Sequence, residues 1–374
     1  MSNSPLIADQ VLALASQFQI DIEIVSIKPF GSGHINDTYR VVNADPNGTD
    51  YLLQRINHHV FKDVPLLMNN LVNVLDHLKK KLADIPGSDI EKDILTLVPA
   101  KDARSYIEDG AGNYWRMLIF LKNTRSYDLV ETKKQAFEGG RAFGRFQAQL
   151  ADLDTSLVKD TIPDFHNIES RLSKLEAAIA GNTAGRLSEV QPEVDFIRSH
   201  EQGMKEILEL GRAGILPQRI VHNDTKFNNV LLDSNDNAQC VIDLDTVMPG
   251  FVAYDFGDSI RTIINKAVED EADAGKIGLN LSLFEAYADG YLQEAHGFLT
   301  QPEIDSLVKG VLLLPYIQAV RFLTDYLEGD HYFKIHSPKH NLQRTRAQLT
   351  LVKKLEESRA QLEQIIKTTI KKYR

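Results

Sequence analysis

Between residues 219 and 247 the chain sets polar side chains at the ends of short apolar runs. Arg219-Ile220-Val221 leads into His222-Asn223-Asp224-Thr225-Lys226-Phe227-Asn228-Asn229, and Val230-Leu231-Leu232 follows. The stretch Asp233-Ser234-Asn235-Asp236-Asn237 has turn chemistry. It leads to Cys240-Val241-Ile242, which ends in Asp243-Leu244-Asp245. Read as strands joined by a hairpin, these residues bring Asp224, Asn229 and Asp243 together at strand ends. A few hard oxygen donors suit Mg²⁺, which keeps its other positions for water and phosphate oxygens. A carboxylate at an apolar strand end is costly unless a metal or a partner compensates it.

That constellation fits phosphoryl transfer. One aspartate accepts the hydroxyl proton of the acceptor, while an asparagine and a second aspartate hold the metal ions that bridge the nucleotide phosphates. His222-x-Asp224-x₄-Asn229 has the spacing of the protein-kinase catalytic loop, and Asp243-Leu244-Asp245 takes the place of Asp-Phe-Gly. No G-x₄-G-K-[ST] pattern is present, which argues against a P-loop enzyme.

The surrounding elements divide the chain in two. An amphipathic helix is expected over 5–18. Strands are expected around Ile22–Ile27, Thr38–Val42, Tyr51–Ile56, 94–98 and 114–121, with hairpin chemistry at Asp45-Pro46-Asn47-Gly48. Val64, Leu67, Met68, Leu71, Val74, Leu75 and Leu78 mark one inserted helix. Beyond Asn123 helical periodicity dominates, at 132–151, 168–180, 190–210, 281–296 and 302–328, with a charged final helix over 338–371. The expected fold is α+β and two-lobed, like a protein kinase. Residues 1–121 form a small antiparallel β-rich lobe and 122–374 a large, mostly helical one, with the ligand cleft between them.

The phrases around Asp224 and Asp243 resemble the aminoglycoside phosphotransferase and choline kinase superfamily, and most closely its N-acetylhexosamine 1-kinase branch. The resemblance rests also on Gly33-His34-Ile35-Asn36-Asp37-Thr38-Tyr39, on Tyr51–Asn57, on Tyr254-Asp255-Phe256-Gly257-Asp258 and on Arg321–Phe333, and covers about residues 20–340. It implies an ATP- and Mg²⁺-dependent kinase acting on an anomeric sugar hydroxyl. Asp224 matches the base, and Asn229 and Asp243 the metal ligands. Gly31-Ser32-Gly33 matches the phosphate-covering turn, and Phe120 and Leu121 the interlobe segment that meets adenine. His34, Arg321 and Tyr332 match sugar-pocket positions. Choline, homoserine, methylthioribose, hydroxylysine and aminoglycosides are acceptors elsewhere in the superfamily. A silent nucleotide-binding module is the alternative of a different class, and the intact Asp224, Asn229 and Asp243 argue against it.

Two departures stand out. The glycine turn lacks a third glycine, with Asn36 in its place, and the strand Leu53-Gln54-Arg55-Ile56 lacks the kinase lysine. Gln54 or Arg55 stands in for it, and alternation leaves both open. The following helix offers Met68-Asn69-Asn70 and no glutamate. Nucleotide phosphates are therefore expected to be held mainly by metal and backbone. Of the other polar residues, Asp255 and Asp258 are expected to cap a helix and pair with Arg261. Arg321 is expected to need carboxylate partners or ligand oxygens. Trp115 is expected in the core, and Tyr127 is a candidate for the cleft wall.

Composition sets outer limits. With 42 lysines and arginines against 52 acidic residues the net charge is −10, a poor basis for non-specific nucleic-acid binding. No stretch reads as a membrane span or a secretory signal, and the single cysteine excludes an internal disulfide. The expectation is a cytoplasmic protein, monomeric or weakly dimeric, with an inert Cys240 and no nucleic-acid or membrane partner.

Overall fold

The computed structural model describes residues 8–31, 35–267 and 271–374. Helix α1 (Ala8–Ala15) precedes an antiparallel meander of β1 (Ile24–Pro29), β2 (Asp37–Asn43) and β3 (Tyr51–Ile56). Helix α2 (Val64–Ala83) and the one-turn α3 (Ile90–Asp93) interrupt the sheet, which resumes with β4 (Leu97–Val98), β5 (Ile107–Glu108) and β6 (Tyr114–Ile119). The strand order is β1-β2-β3-β6-β4, with β5 also paired to β6. Asp63 starts α2 by accepting the Leu66 N–H at 2.9 Å, and Pro65 occupies its first turn, where a missing N–H costs nothing. The strand expected at 94–98 shortens to Leu97–Val98, because Ile94 and Leu95 turn into the core beneath α2.

The sheet has two apolar faces. Val41, Leu53, Trp115 and Met117 pack with Val11, Leu14, Ala15 and Phe18, so Trp115 is a core residue. Ile56 and Leu118 pack on α2. Helix α2 is moored to the other lobe by amides. Asn70 donates to the Lys159 carbonyl at 2.6 Å and accepts its N–H at 3.1 Å, and Asn73 donates to the Leu157 carbonyl. The middle of this helix thus reaches toward the helical lobe, where a kinase would place a glutamate facing the sheet.

The helical lobe comprises α4 (Lys133–Leu150), α5 (Ile168–Gly181), α6 (Gln191–Met204) and α7 (Glu206–Arg212). Four short strands follow: β7 (Arg219–Val221), β8 (Val230–Leu232), β9 (Ala238–Val241) and β10 (Met248–Gly250). Helices α8 (Val252–Ile263), α9 (Leu281–Ala295), α10 (Gln301–Glu328), α11 (His340–Glu357) and α12 (Arg359–Ile370) complete it. Two helices expected to be continuous are broken, one at Lys205 and one at Ser358. The Ser358 N–H closes the last turn of α11 on the carbonyls of Lys354 and Leu355. Helix α10 corrects the membrane expectation. By length and composition it could cross a bilayer (mean hydropathy 1.4), yet 78% of that stretch is buried inside the protein. It packs on α8 so closely that a Cβ at Gly257 would lie 2.2 Å from the Gly310 carbonyl oxygen. The antiparallel sheet lobe and helical lobe make the α+β kinase-like architecture read from the sequence.

Candidate active site

β7 pairs with β10, and β8 with β9, so residues 222–229 leave one ladder and enter the other. The fully buried His222 ties this loop down. Its Nδ1 accepts the Asp224 N–H at 3.2 Å, and its Nε2 lies 2.9 Å from the Ile242 carbonyl. The first bond assigns the proton to Nε2. Asn223 sits in the left-handed region (φ +64), which asparagine tolerates best after glycine. Its Nδ2 donates to the carbonyls of Thr246 (3.1 Å) and Met248 (3.3 Å). Below the loop, the buried Asp255 carboxylate accepts the N–H groups of His222 (2.8 Å) and Asn223 (2.7 Å) and the Gln147 amide (2.7 Å). Asp255 therefore does not cap α8, as expected from sequence; it lies inside that helix and pins the loop. Asp258 and Arg261 do pair, with Nε 3.0 Å from Oδ1.

The three candidate oxygen donors come together. Val230 pairs with Val241, and the Ile242 N–H donates to the Asn229 carbonyl at 2.9 Å, which sets Asn229 beside Asp243. Asn229 Nδ2 donates to the Asp224 carbonyl at 2.7 Å and reaches Asp224 Oδ2 at 3.3 Å. Its Oδ1 is then the atom left to meet a cation. Asp243 adopts φ +60, ψ +58, a conformation costly for a non-glycine residue. Burial, then repulsion by Asp245 and Asp224, pushes its carboxyl up to about 6. At Asp224 burial acts upward too, but the Lys226 ammonium 3.3 Å away holds the carboxyl below its ordinary value. Such a set of oxygen donors fits a hard divalent cation. Lys226 is a site residue the sequence reading passed over, although its place two residues after Asp224 was visible.

On the sheet side, Gly31 takes φ +83 and opens the turn between β1 and β2. Ser32, Gly33 and His34 lie outside the described residues. The partners of Gln54 and Arg55 show which face of the sheet each takes. Arg55 pairs with Asp37 beside Trp115, on the face away from the cleft. Gln54 lies on the opposite face, where its Oε1 accepts Arg116 Nε at 2.9 Å. Arg116 goes on to form a two-pronged bond with Asp245 across the lobes. Arg116 is a second missed residue; an arginine inside Tyr114-Trp115-Arg116-Met117-Leu118-Ile119, opposite Gln54, was its signal. The Phe120 N–H is committed to the Asp50 carbonyl (2.9 Å), and the Phe120 ring lies under Arg40 and against Phe30. The Leu121 carbonyl accepts the Thr124 hydroxyl.

The candidate acceptor residues Arg321 and Tyr332 lie on α10 and the segment after it, close to Phe165 and Arg171. Arg321 donates to Gln318 at 2.8 Å and stands 5.4–5.7 Å from the ring centres of Phe165, Tyr332 and Phe333. Arg171 donates twice to the Phe165 carbonyl, and burial followed by the Arg321 charge lowers it to about 10. Neither guanidinium forms a salt bridge with a carboxylate among the described residues, contrary to one expectation for Arg321. Tyr332 is largely exposed. Its position is set by Asp325, whose carboxylate accepts the N–H groups of His331, Tyr332 and Phe333. Tyr127 lies away from this group, bonded to Asp236 beside the β8–β9 turn.

His166 links the acceptor side to the catalytic loop, with Nε2 2.8 Å from the Asn223 carbonyl. Burial, and then the charges of Arg321 and Arg171, depress it from 6.5 to about 3 against the pull of that carbonyl. The unfolded chain takes up this proton near 6.5 and the folded chain does not. The stability it contributes is therefore complete above pH 6.5 and is lost as pH falls toward 3. By pH 5.5 the loss is about 1 kcal/mol. Urea unfolding at pH 8 and 5.5 should show His166→Gln losing about that much less than the wild type over the interval; an unchanged slope would refute the assignment.

An aspartate at a strand end, a second carboxylate and an asparagine beside it, and a β-sheet lobe joined to a helical lobe are the arrangement of a kinase-like phosphotransferase. Residues 26–296 match the APH phosphotransferase enzyme family, and the chain belongs to that family. Its fold is similar to that of an aminoglycoside phosphotransferase from Alicyclobacillus acidocaldarius, at 13% identity and TM-score 0.60, covering 98% of each chain. A choline kinase from Cryptosporidium parvum is similar at 14% identity and TM-score 0.57, covering 96% of this chain and 98% of the other. So is an amicoumacin kinase in complex with AMP-PNP, Ca²⁺ and Ami, at 13% identity and TM-score 0.59, covering 94% and 93%. These likenesses establish the fold.

Proposed function

We propose that the chain transfers the γ-phosphoryl group of ATP to the anomeric hydroxyl of an N-acetylhexosamine, with residues 1–121 covering the nucleotide and 122–374 holding the sugar. The observation that carries the choice of acceptor is the charge of the acceptor wall. A cationic acceptor such as choline, or an aminoglycoside, calls for carboxylates or an open aromatic cage. Here the rings of Phe165, Tyr332 and Phe333 already face the guanidinium of Arg321, and Arg171 stands close by. Two cations repel an ammonium ligand but suit the hydroxyl and amide oxygens of an uncharged N-acetyl sugar.

In this reading Asp224 orients the anomeric hydroxyl and takes its proton. An anomeric hydroxyl is more acidic than an ordinary alcohol, so a carboxylate of low pKa is a sufficient base. Asn229 and Asp243 would hold Mg²⁺, which when bound neutralises charge on the nucleotide phosphates. Lys226 adds a positive charge beside the base. Positioning and electrostatics supply the acceleration. A cytoplasmic, monomeric or weakly dimeric protein belongs to the same proposal, and the buried Cys240, whose thiol burial pushes upward, is in keeping with it.

The test is ATP consumption with Mg²⁺ over N-acetylglucosamine, N-acetylgalactosamine, choline, homoserine and kanamycin, with products mapped by phosphorus NMR. Turnover is expected with the N-acetylhexosamines, giving the 1-phosphate. Turnover of choline or kanamycin without that of the sugars would overturn the choice of acceptor.

A further inference from the structure

Arg116 stands in the middle of β6, opposite Gln54 of β3. Its Nη1 donates to Asp245 Oδ1, its Nη2 to Oδ2 at 3.0 Å, and its Nε to Gln54 Oε1 at 2.9 Å. A second donor reaches the same carboxylate: Asn36 Nδ2 lies 2.7 Å from Asp245 Oδ2, while Asn36 Oδ1 accepts the Asn57 N–H at 3.0 Å. The Asp245 carbonyl accepts the Thr161 hydroxyl at 3.0 Å. The side chains of Arg116 and Asp245 are only 4% and 3% exposed. This clasp joins residues 129 positions apart and belongs to both lobes.

Three features give it a purpose beyond cohesion. A desolvated ion pair is a weak source of net stability, because the cost of removing both charges from water offsets their attraction; what such a pair supplies is a fixed geometry. The geometry fixed here is that of the turn carrying Asp243, two residues before Asp245 and itself in the unfavourable left-handed region. Finally, Asn36 occupies the place of the third glycine of a phosphate-covering loop. Its side chain bonds the same carboxylate. With its oxygens taken by Arg116 and Asn36, Asp245 is a holder of Asp243 rather than a metal ligand.

We propose that Arg116 and Asp245 are the positioning pair of the nucleotide–metal site. Asn36, at the entry to β2, bonds the Asp245 carboxylate and helps to hold it. The pair sets the Asp243 carboxylate toward the cation by fixing the turn that carries it. This rests on the nucleotide–metal part of the proposed function and is independent of the acceptor.

The experiment is a calorimetric titration of the full chain with AMP-PNP at a series of Mg²⁺ concentrations, without any acceptor, alongside thermal melts. Arg116→Gln alone would strand a buried carboxylate, so the informative variant is the double Arg116→Gln/Asp245→Asn, which removes both charges and keeps hydrogen-bonding groups. It is expected to melt within a few degrees of the wild type yet need at least tenfold more Mg²⁺ for half-maximal nucleotide binding. Arg116→Lys, which keeps the charge and loses the fork, should fall between. Asn36→Ala leaves the ion pair compensated and should raise the Mg²⁺ requirement several-fold at an unchanged melting temperature. Wild-type Mg²⁺ dependence in Asn36→Ala and in a folded double variant would overturn the proposal, as would a double variant that fails to fold together with an unaffected Asn36→Ala. A wild type showing no Mg²⁺-dependent nucleotide binding would instead overturn the reading of the cleft itself, and the pair's role with it.

Discussion

Asp224→Asn is expected to lower turnover by about 10²–10⁴-fold, the range a positioned general base contributes, while leaving the fold and nucleotide binding in place. The substitution changes one atom. The Asp224 N–H can still donate to His222 Nδ1, and the Asp224 carbonyl can still accept the Asn229 amide. What disappears is the negative charge beside Lys226 and, with it, the proposed base. Because the Lys226 charge outweighs the effect of burial, the wild-type carboxyl stays below its ordinary value and is ionised throughout the neutral range. Steady-state kinetics with N-acetylglucosamine, a thermal melt and a nucleotide titration together decide the matter. Near-normal turnover would remove Asp224 from the chemistry; a collapsed melting temperature would make its role structural.

The site was legible in the sequence where its logic is local. His222, Asp224 and Asn229 share one loop, and the turn at Asp233–Asn237 returns the chain so that Asp243 ends beside them. Fixed spacing and a hairpin are enough to bring such residues together. Parity was not enough to choose between Gln54 and Arg55, because β3 packs apolar side chains on both faces and its pattern gives no sign of which face meets the cleft. The structure decides it through partners far away in the chain: Asp37 and Trp115 on one side, Arg116 and Asp245 on the other. Asp255 was misread for the related reason that a carboxylate near the start of a helix invites a local explanation, whereas its donors lie more than thirty residues upstream. The helix break at Ser358 was hidden because apolar spacing continues on both sides, with Leu355 and Leu362 both in the core.

Asp255→Ala should damage stability and turnover together, which distinguishes it from Asp224→Asn. In the folded protein this carboxylate is fully enclosed and satisfies three donors: the N–H groups of His222 and Asn223 and the amide of Gln147. Removing it leaves all three without that acceptor, at about 1–3 kcal/mol for each group that finds no substitute. A net loss of about 3 kcal/mol or more in the free energy of urea unfolding follows. The same two N–H groups fix the backbone on which Asp224 is mounted, and Asn223 is held there in a left-handed conformation. Once released, the loop has no reason to keep that shape, and misplacement of a reacting group by about 1 Å can cost 10²-fold in rate. Asp255→Asn retains one acceptor oxygen but turns an amide donor toward an N–H, so it should lie between the wild type and Asp255→Ala in both measurements. If Asp255→Ala unfolded at the wild-type urea concentration and turned over normally, the loop would be held by its strand pairing alone. If stability fell while turnover of the folded fraction stayed intact, Asp255 would support the core without shaping the site. The parallel loss expected here instead makes α8 the platform of the catalytic loop, seated against α10 through the contact of Gly257 with Gly310.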